Sequence, residues 1–335
     1  MRKQLLSFVL AVGFLAGANA QADEHNGALA SGVRRAANLQ LARQQTYGNG
    51  DTGVGTYACA WEWEVGTATA YANTQGPSAL GLVAAYQAFE KPAYLAGARC
   101  AADQMIARYN ADTTKRPYSD DVIHLVQTAH AAHNPSYAAR AAEYHARTRA
   151  KYATGADLAD HYIDMRASLA GWDLSSQIEA ALAVGQHGYA RAIAVRLIER
   201  RGDWEGVLYG GYDYTLMGHG ALLGALDTFN ADVIRDYRTE ARADVLLNQG
   251  ADGSWQGDFQ ITAYVLMGLE TLPPSSKVRH AINAGASFLL ANETAAGGWS
   301  YPPEYGEING EVLAALSPLV DDDHDRGEHG DRRDR

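Results

Sequence analysis

The residues best suited to chemistry stand in stretches where aromatic and acidic side chains alternate. The longest, YACAWEWEVGTATAYANTQG (57–76), carries Trp61, Glu62, Trp63, Glu64, Tyr71 and Asn73. If that stretch is extended, successive side chains point to opposite sides, with Glu62 and Glu64 on one and the two tryptophans on the other. AGWDLSSQ (170–177) adds Trp172 and Asp173, and YGGYDYTLMGH (209–219) adds Tyr212, Asp213, Tyr214 and His219. WQGDFQ (255–260) supplies Trp255 and Asp258, WSYPPEYGEINGE (299–311) supplies Trp299 and Tyr301, and DHYID (160–164) sets His161 beside Tyr162. YSDDVIH (118–124) is a further acidic junction of the same kind.

Two carboxyl groups roughly 5–10 Å apart, one protonated and one ionised, can hydrolyse a glycosidic bond. Glu62, Glu64, Asp173 and Asp213, with Asp258, are the candidates. Removal of the proton beside a uronate carboxyl group would instead use Tyr71 with Asn73, or His161 with Tyr162. Flat amphipathic rings beside amides and carboxylates suit the stacking of a sugar, and Trp61, Trp63, Trp172, Tyr212, Tyr214, Trp255, Trp299 and Tyr301 are the faces on offer. Each candidate has a plainer reading. Glu62 and Glu64 fit solvated loop positions, Asp173 and Asp213 fit helix caps, His219 fits a core histidine, and His161–Tyr162 fits a folded connection. The histidines are scattered, and the Asp121–His124 spacing alone does not make a metal site. The expectation is no metal and no cofactor.

These stretches are junctions between helices. From Ser31 to Leu319 apolar residues recur every three or four positions, and Gly, Pro, Asn and Asp fill the connections. The pattern predicts twelve helices, near 31–47, 75–90, 92–110, 119–132, 135–152, 173–186, 187–201, 213–229, 231–249, 259–272, 276–292 and 306–319. Pro92, Ser119, Pro135 and Ser275 stand where helix starts favour such residues. One member of each pair repeats a small-and-aliphatic pattern: SALGLVAAYQAF (78–89), HGALLGALDTF (219–229), TAYVLMGLETL (262–272) and NGEVLAALSPL (309–319). A helix with so few charges is buried on most sides, whereas its partner, such as DVIRDYRTEARADVLLNQ (232–249), has one polar face. Six units of similar length, with the charge-poor helices inside, give an all-α (α/α)6 toroid of six helical hairpins.

Arg2 and Lys3, an apolar run to Ala16 and the small residues Ala18-Asn19-Ala20 read as a secretory signal peptide over 1–20. A lead-in (21–30), the toroid (31–320) and a charged, disordered tail (321–335) follow, with a secreted or periplasmic address. The net charge is −11, which argues against nucleic acid or an anionic membrane surface as partner, because both demand a cationic patch. No stretch beyond the leader is apolar enough to span a bilayer. Cys59 and Cys100 form either a disulfide or two separate buried thiols.

LLNQGADGSW (246–255) and FLLANETAAGGW (288–299) each end an outer helix, pass a Gly-rich turn and place a Trp before the next inner helix, and LARQQTYGNGDTG (41–53) is a weaker version. This resembles the repeat of the terpenoid cyclase and protein prenyltransferase toroid superfamily. The resemblance implies the fold more than the chemistry, since a Gly for the turn and a Trp over helix ends are structural. Between Ser31 and Leu319 the chain lacks the D-x-D-D acid motif of squalene-hopene cyclases and the D-D-x-x-D metal motif of ionising terpene synthases. The Cys-x-x-His pair of prenyltransferases and the Cys-Gly-Glu-Gln thioester are also missing. The leading expectation is therefore a secreted carbohydrate-active enzyme, a polysaccharide lyase or glycoside hydrolase, acting in the mouth of the toroid. The second is a non-catalytic toroid that binds a glycan, a lipid or a protein. The third is an isoprenoid cyclase, which a deep, dry, aromatic-lined cavity with a buried Asp would favour.

Overall fold

Helices rich in Gly, Ala and Leu have no face to offer water, so they collect at the centre, and six do so here. In the computed structural model, which describes residues 27–299 and 303–320, these are α2 (Ala72–Phe89), α4 (Ser119–Ala131), α7 (Ala170–Ala183), α9 (Thr215–Ala225), α11 (Phe259–Glu270) and α13 (Gly306–Leu316). Each packs on the next, and α13 packs on α2, so the inner ring closes. The amphipathic partners surround it: α1 (27–42), α3 (Pro92–Ala111), α5 (Pro135–Lys151), α8 (His187–Glu199), α10 (Asp232–Leu247) and α12 (Ser276–Ala291). The fold is an (α/α)6 toroid. The leader 1–20, most of the lead-in, Tyr301 and the tail 321–335 lie outside the described residues.

Glycine allows the closure. A Cβ on Gly310 of α13 would lie 2.5 Å from Ser78 Cα of α2, and one on Gly81 would lie 2.6 Å from the Gly310 carbonyl oxygen. Around the outside, Arg35 of α1 reaches Glu293, just past α12, at 2.5 Å.

The Trp repeats fasten outer helix to inner helix. The indole N–H of Trp61 donates to Gln40 O at 2.7 Å, Trp204 to Leu197 O at 3.1 Å, Trp255 to Val245 O at 2.7 Å and Trp299 to Leu289 O at 2.7 Å. Each acceptor lies toward the end of the preceding outer helix, whose last carbonyls lack helical partners or are free to take a second bond. On the other side, the backbone N–H of Trp61, Trp255 and Trp299 donates to Gln75 Oε1, Thr262 Oγ1 and Asn309 Oδ1 of the following inner helix. Gln249 completes the motif by donating to Gly253 O and Ala281 O, both at 2.9 Å.

Three local expectations need correction. The helix placed over 31–47 ends at 42, and β1 (Gln45–Asn49) then pairs with β2 (Thr56–Ala60) and β3 (Thr69–Ala70). The helix placed over 213–229 starts at Thr215, after the hairpin β4 (Leu208–Tyr209)–β5 (Tyr212–Asp213). The connection 153–172 contains a thirteenth helix, α6 (Gly155–Arg166), which Thr154 and Asp157 start with a reciprocal capping box. The side chains of α6 pack on α7 and α8, outside the sixfold pattern. Cys59 of β2 and Cys100 of α3 are joined in a disulfide, with Cα atoms 5.7 Å apart.

Candidate functional site

Every inner helix follows an outer one, so all six run in the same direction and present their N-termini to one rim. A cavity of about 1300 Å³ opens there. First turns supply its floor and walls: Asn73 and Pro77 from α2, Ser119 and Asp120 from α4, Trp172 and Asp173 from α7, Met217 from α9, Ile261 from α11, Glu307 and Ile308 from α13. The loops add Trp63, Tyr118 and Tyr305, and the β4–β5 hairpin adds Tyr209 and Tyr212 at the rim. Trp63 and Tyr305 meet edge to face with centroids 5.5 Å apart, and Trp172 meets Tyr264 in the same way at 5.9 Å.

Acids sit deep in this aromatic setting. Burial, reinforced by the negative charge of Asp121 and Asp173, pushes the Asp120 carboxyl up to about 7. Asp173 is raised to about 6 by burial, against the pull of Arg166 and Arg116, and its contact with Arg166 is 3.5 Å long. Glu307 and Glu311, one turn apart on α13, are both driven well above the ordinary carboxylate range by burial, with Asp120 adding to each and Glu307 adding to Glu311. The Gln260 amide and the Tyr264 hydroxyl each donate to Glu311 at 2.8 Å. Glu179 on α7 rises to about 7, chiefly through burial and then through Asp120. Close to neutral pH Asp120, Glu179, Glu307 and Glu311 retain much of the protonation that carboxylates in water would have lost.

Asp120 is placed by its neighbours. Gly76 of α2 gives α4 room, since a Cβ there would lie 2.7 Å from the Asp120 backbone carbon. Asp121 turns the other way, into the wall, where Arg108 donates to it at 2.6 Å and the Tyr109 hydroxyl donates a further short hydrogen bond. Of two adjacent acids, one is held by an arginine and the other faces the cavity, unpaired by any cation among the described residues.

The residues singled out from sequence divide sharply. Trp63, Asn73, His161, Tyr162, Trp172, Asp173, Tyr212, Tyr214 and Asp258 line the cavity. Asp258 also caps α11, accepting from Ile261 N at 2.8 Å, and burial raises its carboxyl. Trp61, Trp255 and Trp299 are fully buried in the Trp clamps, so they are wall and not ligand faces. The predicted alternation across 61–64 fails, because Trp61 enters the core while Glu62 folds back to accept from Gly66 N and Ala68 N. Glu64 pairs through its backbone with Tyr305, and neither glutamate lines the cavity. The Tyr71 ring packs over Gly50, outside the cavity. Asp213 stands one residue before the N-cap position of α9 and accepts from Thr215 N at 2.9 Å. His219 faces outward between α9 and α10, where Nδ1 contacts Asp244 at 2.9 Å and Nε2 contacts Glu205 at 3.2 Å. Asp121 and His124 do not share a site: His124 Nε2 lies 3.1 Å from Ala98 O in the core. Among the described residues no group of His, Cys, Asp or Glu is arranged to hold a metal ion.

Asp120, Glu307, Glu311 and Arg116 are absent from the sequence-based candidates. A signal for the three acids existed, and none for Arg116. Tyr118-Ser119-Asp120-Asp121 keeps the last two acids of D-x-D-D with Tyr118 in first place, and two acids one turn apart in the otherwise charge-poor GEINGEVLAAL mark buried, functional carboxyls.

No family model matches the chain, and no curated protein matches it. Solved structures do. A variant of the type II terpene cyclase MstE from Scytonema, in complex with its substrate geranylgeranyl dihydroxybenzoate, superposes with a TM-score of 0.62 at 15% identity, covering 89% of this chain and 99% of that one. A second variant, in complex with the product merosterolic acid A, gives 0.59 at 14% identity over 89% and 98%. The apo enzyme gives 0.58 at 15% identity over 88% and 98%. At such identity the likeness establishes the toroid fold. It also overturns the expectation of a polysaccharide lyase or glycoside hydrolase, since the toroids that match over nearly their whole length are terpene cyclases. Of the five proposed glycosidase carboxyls, Glu62, Glu64 and Asp213 turn away from the cavity, and Asp173 and Asp258 line it.

Proposed function

We propose that this chain is a protonation-initiated isoprenoid cyclase. The observation that carries the proposal is Asp120, an acid raised to about 7 by burial and so about half protonated at neutral pH, unpaired by any cation among the described residues and facing an aromatic-lined cavity. The cavity is large enough for a polyprenyl chain, and an MstE structure of the same fold holds geranylgeranyl dihydroxybenzoate.

The Asp120 O–H delivers its proton to one carbon of a terminal trisubstituted alkene. The π pair becomes the new C–H bond, and the positive charge is left on the tertiary carbon. The π pair of the next alkene then attacks that cation and closes a ring, and the sequence ends when a neighbouring carbon gives up a proton to water at the cavity mouth, the C–H pair becoming the new alkene π bond. The product is an isomer of the substrate. The faces of Trp63, Trp172 and Tyr305 offer negative quadrupole to each cation while excluding water that would quench it. The Asp120 carboxylate left behind is reprotonated from solvent or from the Glu307–Glu311 pair, which holds a proton nearby.

The test is to incubate the purified full chain with geranylgeranyl dihydroxybenzoate and related polyprenyl compounds. A product of unchanged mass with fewer alkene protons by NMR is expected. Tight binding of every compound without conversion would overturn the catalytic reading and leave a binding toroid.

A further inference from the structure

Arg116 stands in the loop before α4, on the wall of the cavity. Its Nη2 donates to the Tyr162 hydroxyl at 2.9 Å, and its guanidinium lies 5.6 and 5.5 Å from the ring centroids of Tyr152 and Tyr162. Its Nη1 is buried and has no hydrogen-bond partner, and no carboxylate among the described residues forms an ion pair with it. A buried donor without an acceptor is costly, and more so when it is charged. Such a group persists where a ligand supplies the acceptor.

The charges around it do not cancel. Arg166 and Arg116 flank Asp173, so two guanidiniums face one carboxylate, and the carboxylate lies nearer to Arg166 at 3.5 Å. Lys151 stands close to Arg116 on the same side; burial and then these two cations lower the His161 imidazole and keep it neutral, with Asp164 opposing them. In a chain of net charge −11 this one quarter of the cavity is cationic. Tyr162 adds a second donor: its oxygen accepts from Arg116 and, at 3.4 Å, from Gln177, which leaves its own proton free to point into the cavity. The acids on α4 and α13 lie beyond Asp173, which acts on Asp120; Asp120 in turn acts on Glu307, and no arginine is among the charges that shift either.

We infer that Arg116 Nη1 and the Tyr162 hydroxyl bind the anionic head group, a carboxylate or a phosphate, of the isoprenoid, and so direct its apolar tail toward Asp120 and Glu307. The tail rests on the cyclase reading; the oxyanion site does not. A guanidinium and a phenol converging on one oxyanion make short, charge-assisted bonds. A head group held there is also kept from the deep acids, which would repel it once ionised. The substrate therefore enters tail first, and the alkene farthest from the head meets the proton donor.

Binding to the full chain can be followed by quenching of cavity Trp fluorescence with geranylgeraniol, geranylgeranoic acid and geranylgeranyl monophosphate, which share one tail. The wild type is expected to bind at least one of the two anionic compounds roughly ten- to hundredfold more tightly than the alcohol, and the tighter of the two identifies the head group. Arg116→Gln is expected to remove that preference and leave the alcohol's affinity unchanged, and Tyr162→Phe, which keeps the ring, to reduce it partly. Equal affinities in the wild type, or a preference that survives both substitutions, would overturn the site. If none of the three binds, the cyclase reading fails, and the site is then tested with inorganic phosphate alone. Thermal stabilisation by phosphate that is lost in Arg116→Gln sustains an oxyanion site, and its absence in the wild type removes it.

Discussion

Asp120 and Glu62 show how little a residue's type says about its use. Both are acids in aromatic junctions, yet Glu62 spends its carboxylate on two backbone N–H groups of its own turn, while Asp120 has only other acids around it. Replacing Asp120 by Asn keeps the size and removes the proton. Turnover should fall by roughly 10²–10⁴-fold, the usual contribution of a positioned general acid, with substrate affinity little changed. A variant that cyclises at the wild-type rate would rule Asp120 out and point to Glu307. The acid form is the active one, so the wild-type rate should decline above pH 7, about tenfold per unit, as Asp120 ionises. A rate that rises through that range would indicate a base in place of an acid. From sequence, Trp63, Trp172, Asp173 and the His161–Tyr162 pair were legible as cavity residues because each lies beside a helix start or on an aromatic-rich segment. Asp120 was not singled out, since its difference from Asp121 depends on Arg108 and Tyr109, contributed by another helix.

Helices are joined here by two devices that differ in how visible they are in sequence. The Trp clamps announce themselves as Gly-rich turns ending in Trp, and the indole bond explains the choice of Trp over Phe. Trp255→Phe would leave the Val245 carbonyl without its 2.7 Å donor at a buried helix end, at a cost of about 1–3 kcal/mol. Urea unfolding measures this, and a loss near zero would show that the ring alone does the packing. The close helix contacts are less visible. Gly81 and Gly310 belong to elements at opposite ends of the chain, and only the closed ring shows that they face each other. Gly310→Ala would drive a methyl group against Pro77 and Ser78 backbone and should cost about 1–3 kcal/mol through overpacking. The same substitution at Gly224, where a Cβ meets nothing nearer than 3.8 Å, should be far milder, and equal losses would argue against ring closure as the cause. Helix α6 escaped the periodic reading because its apolar residues are sparse and it breaks the hairpin order, yet it carries half of the cationic corner.

Across the whole molecule, stability should depend on pH in a way set by the buried acids. A carboxyl raised in the folded state binds its proton more tightly there than in the unfolded chain, so stability is lost as pH rises from the ordinary value through the raised one. Asp120 and Glu179, both near 7, and the Glu307–Glu311 pair place that loss across neutral pH. His124 and His145, held down to about 4 by burial, act oppositely between about 4 and 6.5, where the unfolded chain takes up protons and the fold does not. The thermal midpoint should therefore be higher at pH 6.5 than at pH 8, and a higher value at pH 8 would contradict neutral acids in the cavity. The sequence by itself determined the toroid, because helical periodicity, charge-poor alternating with amphipathic helices, and Trp-ended turns are local properties written in consecutive residues. Tertiary structure alone decided which acids and which arginine share the cavity. Burial, the unpaired Arg116 and the raised carboxyls arise when residues from α4, α6, α7 and α13 converge across the ring, and no local pattern records that convergence.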